Sequence, residues 1–305
     1  MLGGLTARLD QDQARGHLAM LAFSALVAGS FSLGSRAAIF LDPAALNAVR
    51  FAVAGLVIGV AAIATVGIPR TAFVAPWRYL ILGGVFGSYF VLMFEGLKTA
   101  APVSTAAVFT LTPVLTAAFS YLLLRQVLTR RMAVALAVGA FGALWVIFRG
   151  DLALALRFEV GRGEVIYFSG CIAHALFIPL SRMLNRGETA TVYTFGILVG
   201  GTIMIGAWGM PAMIGTDWGA LPSIVWITIF YVAVFASAAT FVLLQYATLR
   251  LPSAKVLAYT YLTPSWVILL ELGWTGQAPP LLILVGVALT AIALVLLLRN
   301  DDAAG

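Results

Sequence analysis

Thr112 and Thr263 each stand before a proline, in the triplets Leu111-Thr112-Pro113 and Leu262-Thr263-Pro264, and both triplets lie in the middle of long uncharged stretches. Proline in a helix interior removes a backbone hydrogen bond and clashes with the preceding turn, at about 3 kcal/mol in water. It frees the carbonyl four residues earlier, here Phe109 and Thr260. In apolar surroundings that carbonyl needs another donor or a protein-lined cavity. The neighbouring Thr112 or Thr263 hydroxyl can help satisfy the bent turn. A single such proline is simply tolerated in an apolar helix. Two at matching places point to paired bends that shape a cavity and act as hinges, at Pro113 and Pro264.

Three ionisable side chains, Arg50, Glu95 and His174, are also set within or at the edge of apolar stretches. Arg50 and Glu95 lie at similar depth near the ends of consecutive stretches. An unpaired charge there is costly, so the sequence predicts an Arg50–Glu95 ion pair or a water-facing vestibule. His174 sits midway along another stretch, beside Cys171 and Phe177, where it can titrate or hydrogen-bond a small molecule. Tyr259, Thr263 and Trp266 are spaced i, i+4, i+7 and share one helix face. With Tyr89, Phe94, Thr112, His174 and Tyr231 they form the predicted binding set. Each aromatic singly is ordinary packing; as a set they suit a flat, apolar cargo. Such a cargo would be neutral or zwitterionic, because no Lys or Arg lies at mid-depth for a phosphate and the first stretch holds no acid. The chain has no His-Glu-x-x-His and no Gly-x-Gly-Asp, with two histidines and one cysteine. No enzyme, catalytic residue, metal site or cofactor is predicted.

The elements that must position these residues follow from composition. Of 305 residues, 62% are hydrophobic and 10% charged, and mean hydropathy is +1.04. A soluble domain carries about 25% charge, so the lipid bilayer is the predicted solvent. The net charge of +6 does not point to nucleic acid, because the basic residues are dispersed between apolar runs. Ten uncharged runs are long enough to matter: 16–35, 51–69, 79–94, 99–124, 132–148, 165–181, 189–216, 218–249, 256–270 and 272–298. The first is too long for the apolar core of a signal peptide. The sequence therefore predicts an all-α integral membrane protein with ten transmembrane helices. With the N-terminus in the cytoplasm, twelve Lys and Arg fall inside and five outside, so both termini are expected there, as in a multi-pass inner-membrane protein.

The Leu-Thr-Pro repeat extends in both directions. Pro102 and Pro252 open the two segments, and Gln126 and Gln277 close them 13 residues past the inner prolines. Upstream, Glu95 aligns with Gln245, Gly83 and Gly87 with Ala233 and Ser237, and Ser35-Arg36 with Ser181-Arg182. An odd number of helices separates the copies, so they lie inverted in the membrane. The predicted organisation is a cytoplasmic tail (1–15), a first five-helix repeat (16–148), a central connection (149–164), a second repeat (165–299) and a short cytoplasmic tail (300–305).

These halves, with "TPVLTAAFSYLLL" leading into Gln126-Val127-Leu128-Thr129 and an echo near Gln277, resemble the EamA-type members of the drug/metabolite transporter superfamily over about residues 17–299. Many members carry Gly-Glu where this chain has Arg125-Gln126 and Gly276-Gln277. Within the family the chain looks most like the YddG-type branch, which exports aromatic amino acids. The resemblance implies a cavity on the pseudo-twofold axis, lined by helices 1, 3, 4, 6, 8 and 9. It implies an exporter of aromatic or other large neutral amino acids working by alternating access, with proton coupling left open. A multidrug or organic-cation exporter and a passive channel for small metabolites are the alternatives.

Overall fold

The computed structural model describes residues 2–157, 159–248, 250, 251, 256 and 258–298, with side chains from residue 12 onward except those of Gln245 and Thr248. Pro252, the side chain of Gln245 and the tail 300–305 thus lie outside the described residues. All regular structure among the described residues is helical. Among the described residues, nine helices are long and apolar enough to cross a bilayer: α1 (Asp12–Ala37), α2 (Pro43–Thr65), α3 (Trp77–Leu97), α4 (Pro102–Leu124), α5 (Arg130–Ile147), α6 (Arg162–Leu184), α7 (Ala190–Gly215), α8 (Ser223–Leu244) and α10 (Leu281–Leu298). Where the sequence predicts a tenth span there is α9, a 3-10 turn over Tyr259–Leu262 running into a helix over Thr263–Thr275. The first fifteen residues are predicted as a tail, but helix extends α1 back to Leu2. No proline interrupts that stretch.

Local chemistry sets several helix ends. Asp42 caps α2, its carboxylate accepting from the backbone N–H groups of Ala44 and Ala45 at 2.8 and 3.2 Å, and Pro43 occupies the first turn, where no N–H partner is lost. Arg125 and Gly276 end α4 and α9 in the left-handed conformation, at φ +56° and +67°.

The packing respects an exchange of helix n with helix n+5. α2 packs on α7 and α5 on α10, each pair mapping onto itself; α3 and α4 pack on α6 as α8 and α9 pack on α1. Along the chain α7 is the fifth span after α2 and α8 the fifth after α3, an odd step, so the two copies run in opposite directions through the membrane. The α5–α10 crossing needs glycine on both sides. A Cβ at Gly142 would meet the Gly286 carbonyl at 2.7 Å, and one at Gly286 would meet the Gly142 carbonyl at 2.6 Å. Large apolar side chains such as Leu56, Ile63, Leu122, Ile214 and Leu281 remain exposed on the outer faces, where hydrocarbon covers them.

Candidate functional site

The two Thr-Pro positions break their helices in the same way. In α4 the helix over Pro102–Phe109 stops, residues 110 and 111 make tightened i→i+3 bonds to Ala107 and Val108, and a new helix starts at Thr112. In α9 the 3-10 turn precedes a new helix at Thr263. Both new helices have 13 residues, with Pro113 and Pro264 in their first turn. Each proline therefore opens a helix where its missing N–H costs nothing. The hydroxyls differ from the prediction. Thr110, not Thr112, backs the bend, donating to the Ala107 carbonyl at 2.7 Å. Among the described residues, the buried Thr112 and Thr263 hydroxyls have no hydrogen-bond partner. Symmetry-related positions thus carry two unspent hydroxyls.

Beside the α4 break lies an aromatic cluster built mostly from α3 and α6. The His174 ring is 4.6 Å from Tyr89, 5.7 Å from Phe109 and 6.0 Å from Phe86, centre to centre. Phe177 stacks on Phe86 at 4.5 Å, and the Tyr89 and Tyr167 hydroxyls share a hydrogen bond of 3.1 Å. Among the described residues, the His174 Nδ1 atom is buried without a partner. Tyr89 and His174 of the predicted set therefore meet here, joined by Phe86 and Tyr167, which the sequence does not single out, and by Phe109, noted there only for its carbonyl, while Thr112 starts the new helix three residues further on. Buried Cys171 is a small packing residue whose thiol lies 3.8 Å from the Val108 carbonyl.

The other predicted residues gather around α1. Tyr259 shares a hydrogen bond of 2.9 Å with His17 Nδ1, and the Trp266 indole N–H donates to the Ser24 hydroxyl at 3.0 Å. Residues seven apart on α9 thus meet residues seven apart on α1. Tyr231 donates to the Leu26 carbonyl at 2.9 Å and lies against Gly29, where a Cβ would collide with its ring. Phe94 is fully buried beside Gly34. In this conformation Phe94, Tyr231, Tyr259 and Trp266 close the α1 seam. His17 lies near the start of the α1 span, while His174 lies midway along α6.

Among the described residues, the ion pairs include none between Arg50 and Glu95. Glu95 accepts from Lys98 at 2.6 Å, one turn along its own helix. Arg50, 1% exposed, turns to α8, donating from Nε and Nη2 to the Ser237 hydroxyl at 3.1 Å each. Lys98 offers Glu95 a local i,i+3 partner. Arg50 is drawn to a π-helical turn over Val234–Ala239, whose wider spacing loosens the backbone around Ser237.

Two further ion pairs join the halves. Arg36 at the end of α1 binds Glu271 of α9 at 2.8 Å, and Arg78 of α3 binds Glu188 of the α6–α7 connection at 2.6 Å. Arg36 and Glu271 both border apolar runs in the sequence, which is the signal that could have found them. Grooves of about 870 and 420 Å3 run along the α2–α7 seam, lined by apolar side chains such as Ile203, Met210 and Ile63. They hold none of the predicted binding residues and lie on the face that lipid covers.

Inverted halves, each with a helix broken near its middle and unspent polar groups at the break, define a membrane transport protein. The chain belongs to the EamA-like transporter family, whose model matches it twice, at residues 14–148 and 161–299. It is also 28% identical over 193 residues to a Bacillus subtilis (strain 168) protein described as the uncharacterized transporter YyaM. That match covers 62% of this chain and 63% of the relative's length. A crystal structure described only as that of a protein shares the fold, with a TM-score of 0.65 and 19% identity, over 94% of this chain and 96% of its own.

Proposed function

We propose that this protein is a secondary transporter that exports aromatic or other large neutral amino acids across the cytoplasmic membrane by alternating access, with both termini in the cytoplasm. The observation that carries the reading is the boxed His174, with an unpartnered ring nitrogen among the rings of Phe86, Tyr89 and Phe109. Such a box takes a flat apolar body, because ring pairs add about 0.5–1.5 kcal/mol beyond the area they bury. The free Thr112 and Thr263 hydroxyls offer hydrogen bonds without fixed charge. The matched breaks in α4 and α9 give each repeat an element that can bend.

Flux of labelled phenylalanine or tryptophan in proteoliposomes tests this, with and without a proton gradient. Saturable flux that leucine inhibits and aspartate and lysine do not is the expected result. Competition by aspartate or lysine equal to that by leucine breaks the zwitterion argument. Transport of organic cations in place of amino acids moves the reading to drug efflux. Unsaturable flux without counter-ion dependence makes the protein a passive facilitator.

A further inference from the structure

Arg50 is the eighth residue of α2, about 10 Å along the helix from its capped end at 1.5 Å per residue. Its guanidinium has five N–H groups. Nε and Nη2 are used on Ser237, and Nη2 also reaches the Ala236 carbonyl at 3.5 Å. Among the described residues, Nη1 is buried with no partner. Among the described residues no carboxylate lies within 4 Å of the group, and the acid nearest in sequence expectation, Glu95, is held by Lys98. The Phe90 ring lies under the guanidinium carbon at 3.7 Å. A buried cation with a ring and a hydroxyl for company lacks the counter-charge that offsets desolvation, which costs several kcal/mol per ion. Inside a membrane span such a residue is a functional group by default.

One turn away on the same face is Asn47, fully buried. Its amide NH2 donates to the Pro43 carbonyl at 2.8 Å, which identifies the other atom as the oxygen, and among the described residues that Oδ1 has no partner. A free donor and a free acceptor therefore stand three residues apart on α2. A carboxylate accepts what Nη1 offers, and an ammonium group donates what Asn47 Oδ1 accepts. The Phe90 ring under Arg50 meets Phe51 and Phe86, and these two each other, edge to face at 4.9 to 6.1 Å between centres.

We infer that Arg50 and Asn47 form the head-group site for a carboxylate-bearing cargo, where α2 meets α3 and the π-turn of α8. Arg50 takes the carboxylate, Asn47 takes the ammonium group of an α-amino acid, and the phenylalanine rings take its body. The inference deepens the proposed function and rests on it for the amino acid, though not for the carboxylate. It adds one fixed charge to a head group otherwise read as bound by neutral groups alone.

Binding of phenylalanine, phenylacetate and phenethylamine to the purified full chain in nanodiscs tests the site. In the unaltered protein phenylalanine binds at least tenfold tighter than phenethylamine, which lacks the carboxylate. Arg50→Gln weakens phenylalanine and phenylacetate tenfold or more and leaves phenethylamine within threefold. Asn47→Leu weakens phenylalanine and spares phenylacetate. Ser237→Ala separates this from a structural role: a guanidinium that merely pins the π-turn makes Ser237→Ala and Arg50→Gln alike in stability and leaves the ligand ratios unmoved. Arg50→Lys reads the same ratios if the glutamine variant does not fold. Unchanged ratios in the Arg50 variants overturn the site and leave amino-acid export standing. Phenethylamine binding as tightly as phenylalanine, or no binding of either carboxylate, overturns the site without any variant. Arg50-dependent binding of phenylacetate without phenylalanine keeps the carboxylate site and removes the proposed cargo.

Discussion

The Arg36 guanidinium holds the Glu271 carboxylate with two hydrogen bonds, of 2.8 and 3.0 Å, and so ties the end of α1 in the first repeat to α9 in the second. Ser32 donates to the same carboxylate, and the Trp274 ring lies 4.8 Å from the guanidinium carbon. The side chains are 24% and 17% exposed, so the pair is partly shielded from water. It closes one end of the α1–α9 seam, and any opening there must break it. Loss of hydrogen bonds to a charged partner is worth about 1.5–3 kcal/mol. Arg36→Glu and Glu271→Arg alone should each slow proteoliposome flux tenfold or more, and the double swap should recover most of it. A double swap no better than the worse single variant would show that the contact is not a gate.

The Arg78–Glu188 pair joins α3 to the α6–α7 connection, and its side chains are 1% and 3% exposed. Burial pushes the Glu188 carboxyl up. The hydrogen bonds from Arg78, the Arg186 backbone N–H and the Tyr79 hydroxyl outweigh it and bring the pKa from the ordinary 4.5 down to about 2. A depressed carboxyl contributes stability that is fully present above its unfolded pKa and is lost as pH falls through the folded one. Thermal stability attributable to Glu188 should hold from neutral pH to about 5 and decline between about 4.5 and 2. Glu188→Gln should remove that part of the acid decline, read as the difference between two melting-temperature curves. Parallel curves would contradict the assignment. Arg78→Ala should be worse than either effect, at about 3–5 kcal/mol, because it strands a buried carboxylate.

Arg125 ends α4 in a conformation that costs a side-chain-bearing residue about 1–2 kcal/mol, while its counterpart Gly276 adopts it freely. The Arg125 side chain is exposed, so little contact is lost with it. Arg125→Gly should raise the melting temperature, by about 1 kcal/mol of stability or somewhat less once the added freedom of the unfolded chain is counted. Gly276→Arg should lower it. A lower melting temperature for Arg125→Gly would mean that the arginine makes a contact worth more than the strain.

The paired breaks were legible because a three-residue pattern recurs at one spacing. Position in the apolar run then places Pro113 and Pro264 at matching depth. Their detail was less legible. Thr110 takes the bending role because its hydroxyl falls on the Ala107 carbonyl, a fact of helix phase that the triplet does not show. The Arg50–Glu95 pairing failed for a related reason. Depth along two helices can be read from run boundaries, but the facing direction cannot, and Lys98 was three residues from Glu95 throughout. The π-turn left no signal, since "VFASAA" is also a sound α-helical sequence. The α1 contacts of Tyr259 and Trp266 were half legible: their common face was, but not that α1 covers it.

Pro113 and Pro264 sit in first turns, so replacing either removes no backbone hydrogen bond. Pro113→Ala and Pro264→Ala should each change stability by less than about 1 kcal/mol. If the breaks are hinges, the double variant has two helices free to heal across residues 110–112 and 259–263. Its turnover should then drop several-fold with the half-saturation concentration nearly unchanged. Wild-type turnover in the double variant would leave the breaks as fixed shape and no more.

The final prediction concerns His174. Its ring packs against three aromatic rings, while its buried Nδ1 has no partner among the described residues. Phenylalanine at this position keeps the packing and removes the polar atoms, so His174→Phe separates the two roles. If the imidazole only fills space, the variant transports as the wild type does. If it bonds the cargo, one hydrogen bond of about 0.5–1.5 kcal/mol is lost, and the half-saturation concentration rises roughly two- to tenfold. Tryptophan carries an indole N–H that a ring nitrogen can accept, and phenylalanine has no such group. The rise should therefore be larger for tryptophan than for phenylalanine. Tyr89→Phe serves as the control, since it removes the Tyr167 hydrogen bond and leaves the ring beside His174 in place. Equal half-saturation for both amino acids in His174→Phe and wild type would take His174 out of the binding site.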